Sequence, residues 1–425
     1  MGWLESGGEG SGEAPRASSS LPDCRNDVHK RRTLVTPAGG GHPHPDLTRP
    51  GRHAYIWFDR PGRPPYVVPS GDPGDCNGTA NVGSTMDIIT AQQLIDAPRD
   101  MRPHVVLLGA GASRAAFPKG DPTGKRIPVM DDLVDILGLQ RLLDEAGPEI
   151  ELGRNFEAIY SQLDSHPKYI HIIKTIEAHI DDYFSDLSLP IEATIYDRLL
   201  VSLRSTDAVI TFNWDPFLFD AYLRNRDAIP LPEIFFLHGN VRIGACLRDD
   251  SWGARNGRCP DCGRHFVDVP LLYSIQKKDY SKDPYIRRNW EAAEALCNEA
   301  FTMTIFGYSA PTSDTGAVEL LRRAWFARSK RELEHIEIID IASDTDLYAR
   351  WSPFTPTLHY HSVKAFEQSR ISRWPRRSCE ALLYPMTQGI PCEDFPLPST
   401  DNLAELQAYA STIALPEDGL RPHEL

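Results

Sequence analysis

Apolar positions along this chain change character at Met86. Before it, residues 1–85 carry Gly, Pro, Ser and Arg with isolated aromatics, and show no helical or strand period. Such a segment buries too little apolar surface to offset its ordering entropy, so disorder is expected. Within it, HAYIWF (53–58) alone has the makings of a short strand. Residues 1–85 are therefore read as an extension upstream of a functional start at Met86.

From Met86 onward, short continuous apolar runs alternate with stretches of helical spacing. HVVLLGAG (104–111), DAVITFN (207–213), EIFFLHG (233–239), FTMTIFGY (301–308) and HIEIIDIA (335–342) read as buried strands, with TLHYHS (357–362) as a sixth. Helical spacing is predicted at 86–97, 131–146, 154–163, 169–187, 192–204, 216–225 and 285–300. A further helix is predicted over 313–329, capped by Ser313 or Asp314. Strands alternating with helices imply an α/β protein: a parallel sheet with helices on both faces. Residues 240–282 read as an irregular insert holding cysteines, and 366–425 as a proline-rich tail with one or two packed helices and a frayed end.

Composition narrows the class. Hydrophobic residues make up 41% of the 425, enough for a sizeable core. No run approaches the roughly 18 apolar residues of a membrane span. The N-terminus lacks a basic start and an apolar centre, so no secretory signal is read and the cytoplasm is expected. A net charge of −14 argues against general nucleic-acid binding. It also means that an anionic ligand must be held by specific groups.

The candidate chemistry clusters at the ends of the apolar runs. Gly109-Ala110-Gly111 and Ser113 follow the first strand, where glycines permit a tight turn or close approach to a phosphate. Arg114 stands where a dinucleotide fingerprint has its third glycine, so an ordinary strand turn explains the loop equally well. Asn213 and Asp215 end the second strand, placed either to orient a water or ribose hydroxyl or to cap the following helix. His238 ends the third strand with Gly239 behind it, as a general base or as a structural histidine. Gly307 and Ser309 follow the fourth strand, and Asp340 lies in the fifth. Gly120 to Arg126 mimics a P-loop but is one residue short and lacks its Ser or Thr.

Cys259 and Cys262 form half of a zinc knuckle, with Cys246 twelve intervening residues earlier. His265 and Asp249 are both candidates for a fourth ligand, and His265 is taken with the three cysteines as the metal set. Any such zinc would be structural.

In order and spacing, GAGAS, TFNWD, LHG, the cysteine insert, the Trp290 helix and GYSAPTSD resemble the sirtuin-like NAD-binding family across about 260 residues. RRNWEAAEALCNEA followed by IFGYSAPTSD resembles the bacterial antiphage-defence group, whose members hydrolyse NAD. The resemblance implies a Rossmann-like NAD-binding domain over 86–365 with helical and cysteine-containing inserts. It implies NAD contacts at Gly109, Gly111, Ser113 and Ser309, ribose contacts at Asn213 and Asp215, and a catalytic His238. Departures are specific: Ile127-Pro128-Val129-Met130 lacks the Phe and Arg of deacylating sirtuins, and Phe212 stands where they carry Gln.

The expected function is hydrolysis of NAD to ADP-ribose and nicotinamide. A lysine deacylase and a non-catalytic sensor of NAD-derived ligands are the alternatives. Because free NAD hydrolysis kills a cell, restraint by a homo-oligomer or a separately encoded partner is also expected.

Overall fold

The computed structural model describes residues 87–97, 102–151, 153, 155–249, 251–273, 280, 282–309, 318–319, 322–323, 335–352 and 360–415. The expectations for residues 1–85, the cap at Ser313 or Asp314 and most of the helix over 313–329 lie outside the described residues, as does the chain end from 416 onward.

Six short strands form one wholly parallel sheet: β1 (His104–Leu108), β2 (Ala208–Thr211), β3 (Glu233–Phe236), β7 (Thr302–Phe306), β8 (His335–Ile339) and β9 (Tyr360–Val363). Their spatial order is β3-β2-β1-β7-β8-β9. Leu107 pairs with Ile210 on one side and Ile305 on the other. β1 is buried on both faces along its whole length, which is why it reads as an unbroken apolar run. The order reverses between β1 and β7, and in such sheets the crevice beyond the carboxyl ends at that point takes ligands.

Helices α1 (Ala91–Asp96), α5 (Phe156–Asp164), α6 (Ile170–Ser185), α7 (Ile195–Val201), α8 (Phe217–Asn225) and α9 (Pro284–Glu299) follow the sequence pattern, whereas α2 (Ala110–Ala116) begins inside the run read as the first strand. The single helix predicted over 131–146 is instead two, α3 (Leu133–Leu137) and α4 (Gln140–Glu145). Gly138 adopts a left-handed conformation (φ 67°) and ends the first of them. Helix α10 (Asp344–Trp351) escapes the pattern, since only Leu347 and Trp351 are buried on it.

The cysteine insert is not irregular. It contains an antiparallel sheet of β4 (Ile243–Cys246), β5 (Ser251–Ala254) and β6 (Val267–Asp268), in the order β5-β4-β6. The Phe266 side chain lies against Gly244 and Gly253, where an added Cβ would come within 2.7 Å of it. Arg255 ties this sheet to α6 through Asp181 (2.9 Å), and Arg242 donates to the Ser185 and Leu187 carbonyls.

The C-terminal region is more than a tail. Helices α11 (Arg370–Arg373), α12 (Ser378–Gln388) and α13 (Leu403–Ala414) pack on the body. Buried Arg376 donates to the carbonyls of Leu203 (2.6 Å) and Pro230 (3.2 Å). Leu406 and Ala410 of α13 pack with Val201 and Ile229. At the amino end of the sheet, fully buried His104 bridges Ser378 (2.6 Å) and Thr304 (2.8 Å). Among the described residues, no helix is long and apolar enough to cross a membrane.

Candidate functional site

A cavity of about 680 Å³ opens at the carboxyl edge of the parallel sheet, within the range of roughly 300–1,000 Å³ usual for small-molecule sites. Gly109, Gly111, Asn213, Asp215, His238, Gly307, Ser309 and Asp340 all line it. The loops after β1, β2, β3, β7 and β8 thus converge on one space.

The glycine loop owes its composition first to packing. The Gly109 and Gly111 amides donate to the Phe306 and Gly307 carbonyls at 3.0 and 2.9 Å. A Cβ on Gly109 would lie 2.6 Å from the Gly307 oxygen, and one on Gly307 only 2.1 Å from the Ala112 nitrogen. Gly307 also has a positive φ of 61°. The loops after β1 and β7 therefore touch backbone to backbone, as only glycine allows.

Ser113, expected at a phosphate, is fully buried. Its hydroxyl donates to Asp215 Oδ2 at 2.6 Å and lies 2.6 Å from the Tyr196 hydroxyl. It faces inward because it sits one turn into α2, on the side that packs on the sheet.

The segment after β2 holds the polar wall. Asn213 Nδ2 donates to the Gly109 carbonyl (3.0 Å), with Ser113 Oγ at 3.1 Å and the Tyr196 hydroxyl at 3.3 Å. A carbonyl can only accept, so the amide nitrogen points inward and Oδ1 is left for the cavity. Asp215 Oδ1 accepts from the Phe217 amide (3.3 Å) while Asn240 clamps the Asp215 carbonyl at 2.6 Å. Asp215 thus steadies the turn into α8, whose N-cap is Pro216, and also stands in the cavity wall. Burial pushes the Asp215 carboxyl up to about 6, opposed by the Ser113 and Phe217 hydrogen bonds and helped by the charge of Asp220.

His238 is buried against Phe212, with ring centroids 4.8 Å apart. Its neighbour Gly239 has a φ of 76°, and a Cβ there would lie 2.3 Å from the Pro270 carbonyl oxygen. Phe212 stacks on Tyr308 at 4.5 Å, and Trp290 donates to the Leu237 carbonyl at 2.8 Å. These rings form an apolar wall beside the imidazole.

At the far end, Asp340 lies just after β8 rather than within it, and accepts from the Ala342 amide at 2.8 Å. Arg350 approaches it to 3.6 Å, and Arg114 pairs with Asp132. Arg114, Arg350 and Lys364 bring cationic groups into the lining.

The cysteine insert is a second candidate site. Atoms of Cys246, Asp249, Cys259 and Cys262 lie within 4.8 Å of one another. Tetrahedral zinc with Zn–S bonds of about 2.3 Å separates two sulfurs by about 3.8 Å, and Cys246 and Cys262 are 3.7 Å apart. The donor set therefore fits a structural zinc, which would cross-link β4 to the knuckle. His265 does not belong to it: it is exposed, in a bridge with Arg258, and contacts the Asn256 carbonyl. The short pairing around Gly263 turns it outward, and Asp249 stands beside the three sulfurs in its place.

Sequence reasoning missed Tyr196, Trp214 and the cavity role of Arg114. Tyr196 is one of several buried residues on an amphipathic helix, and nothing in its spacing distinguishes it.

No family model matches this chain, and no curated protein matches it. Among solved structures it is similar to a Sir2 homologue in complex with NAD, at 14% identity and a TM-score of 0.33, covering 78% of this chain and 97% of that one. It is also similar to a Sir2 enzyme at 15% identity and a TM-score of 0.32, covering 64% and 89%. A Sir2 structure with an inhibitor, 2'-O-acetyl-ADP-ribose and a deacetylated peptide matches at 16% and 0.31, covering 68% and 94%. At these TM-scores the likeness bears no weight on chemistry, which stands on the cavity's own residues.

Proposed function

We propose that this chain binds NAD in the sheet-edge cavity and hydrolyses the bond between nicotinamide and ribose. One observation carries the reading: a carboxamide, a carboxylate and an imidazole from adjacent strand ends share a cavity with the glycine turns at the β1–β7 reversal. As nicotinamide leaves, positive charge develops on the ribose. Asn213 Oδ1 accepts from a ribose hydroxyl or the attacking water, and His238 takes its proton. Phe212 and Tyr308 keep bulk water from that end. Arg114, Arg350 and Lys364 offer positive charge to the pyrophosphate and its flanks. The absence of the Phe and Arg of deacylating sirtuins favours water over an acyl-lysine as acceptor.

The setting we infer, from the resemblance of residues 287–314, is bacterial antiphage defence, with turnover restrained by self-assembly or a separate partner. The decisive experiment measures nicotinamide from NAD, with and without an acyl-lysine peptide. Release without peptide is expected. His238→Ala and Asn213→Ala should each lower it by about 10²-fold or more while the fold persists. No release under any condition refutes hydrolysis, and release only with peptide makes the protein a deacylase.

A further inference from the structure

We propose that Tyr196 is a positioning residue of the cavity, acting through Ser113 to fix the Asn213 carboxamide and the Asp215 carboxylate beneath the ligand. Its effect on turnover rests on the NAD reading; its effect on Asp215 does not.

The hydrogen count makes the case. Ser113 Oγ lies 2.6 Å from both Asp215 Oδ2 and the Tyr196 hydroxyl, and it carries one proton. An ionised carboxylate only accepts, so Ser113 donates to Asp215. Tyr196 must then donate to Ser113. Burial pushes the Tyr196 phenol well above its ordinary range, so it keeps that proton throughout. Tyr196 is fully buried. The chain therefore runs one way, from phenol to hydroxyl to carboxylate, and each bond polarises the next.

The same two oxygens receive the inward face of Asn213 at 3.1 and 3.3 Å. Together with the Gly109 carbonyl they hold the amide nitrogen down and Oδ1 up. Tyr196 comes from α7, outside every loop that forms the rim. The groups facing Asp215 are Ser113 from α2, Tyr196 from α7 and Asp220 one turn into α8. Asp220 itself is paired with Arg242 at 3.4 Å.

The test is Tyr196→Phe, which keeps the ring and removes one oxygen. Infrared difference titration reads the carbonyl stretch of protonated Asp215, assigned by its loss in Asp215→Asn. The midpoint is expected to rise by about half a unit to one unit in Tyr196→Phe, and further in Ser113→Ala. Tyr160→Phe removes another part-buried phenol, which bonds Glu177 away from this network, and should leave the midpoint in place. In nicotinamide release, Tyr196→Phe should lower kcat about tenfold with KM little changed, and shift the acid limb of the pH profile upward.

A midpoint unmoved by Tyr196→Phe overturns the proposal, and so does an equal shift in Tyr160→Phe. If Tyr196→Phe will not fold, Ser113→Ala alone carries the test, and an unmoved midpoint there overturns it too. A shifted midpoint in a protein that releases no nicotinamide upholds the positioning role and refutes the NAD chemistry instead.

Discussion

Replacing Asp215 with Asn should stabilise this protein at neutral pH. The carboxyl is pushed from 3.8 to about 6, chiefly because burial penalises its charged form. A folded-state value raised above the unfolded one means the native protein holds a proton that the unfolded chain releases. Stability from this group is therefore full below pH 3.8, falls as pH rises, and is lost above about 6. The gap of about 2.2 units corresponds to about 3 kcal/mol at neutral pH. Asn mimics the protonated carboxyl in size and neutrality, and it can still accept from Ser113.

The expected result is a variant more stable than wild type by up to about 3 kcal/mol at pH 8, shrinking to about half of that at pH 5. Urea melts of both proteins at the two pH values measure it, and the difference between them cancels contributions from other titrating groups. A constant gap, or an Asn variant less stable at both pH values, would refute the reasoning. It would mean that the carboxylate is compensated by its hydrogen bonds and carries no stored instability. A confirmed gap would show that the cavity keeps a charge where the fold alone would remove it.

Three other outcomes are expected. Gly307→Ala should abolish folding or cost several kcal/mol, since its Cβ would sit 2.1 Å from the Ala112 nitrogen; an unchanged melting point would contradict the backbone contact. Metal analysis should find one zinc per chain, lowered in Cys259→Ser and Asp249→Ala but kept in His265→Ala; loss in the His265 variant would restore it as a ligand. Burial lowers the His104 imidazole from 6.5 to about 4. The stability it confers is thus complete above pH 6.5 and lost as pH falls to about 4, and His104→Gln should flatten that acid limb in melts, where an unchanged limb would remove His104 as its source.

What the sequence discloses here follows from what each element must bury. The inner strands β1, β2 and β7 are buried on both faces, so they appear as apolar runs such as HVVLL, and the glycines and polar residues after them mark the carboxyl edge. The small sheet leaves no such mark. IGAC and SWGA are too short and too glycine-rich to show a period, because the Phe266 side chain occupies the space that their side chains would fill. Asp249 rather than His265 stands beside the three sulfurs. His265 is three residues from Cys262, yet its strand pairing directs it outward, while Asp249 reaches back from the β4–β5 turn.

The Ser113 result points to how such a site is built. A serine beside a glycine turn suggests a phosphate contact, but this one faces down, joining the turn after β1 to the polar wall after β2. Asn213 likewise ties to the Gly109 carbonyl, and Gly109 in turn bonds Phe306. The loops after β1, β2 and β7 are therefore one hydrogen-bonded unit before any ligand arrives. In a chain of net charge −14, whose cavity cations Arg114, Arg350 and Lys364 each have a carboxylate partner, long-range attraction adds little for an anionic ligand. Binding must come from groups already held in place, and preorganisation of this kind lowers the ordering cost of association. The buried underside of the cavity, with Ser113 and Tyr196 at its centre, is accordingly as much a part of the site as the residues that touch the ligand.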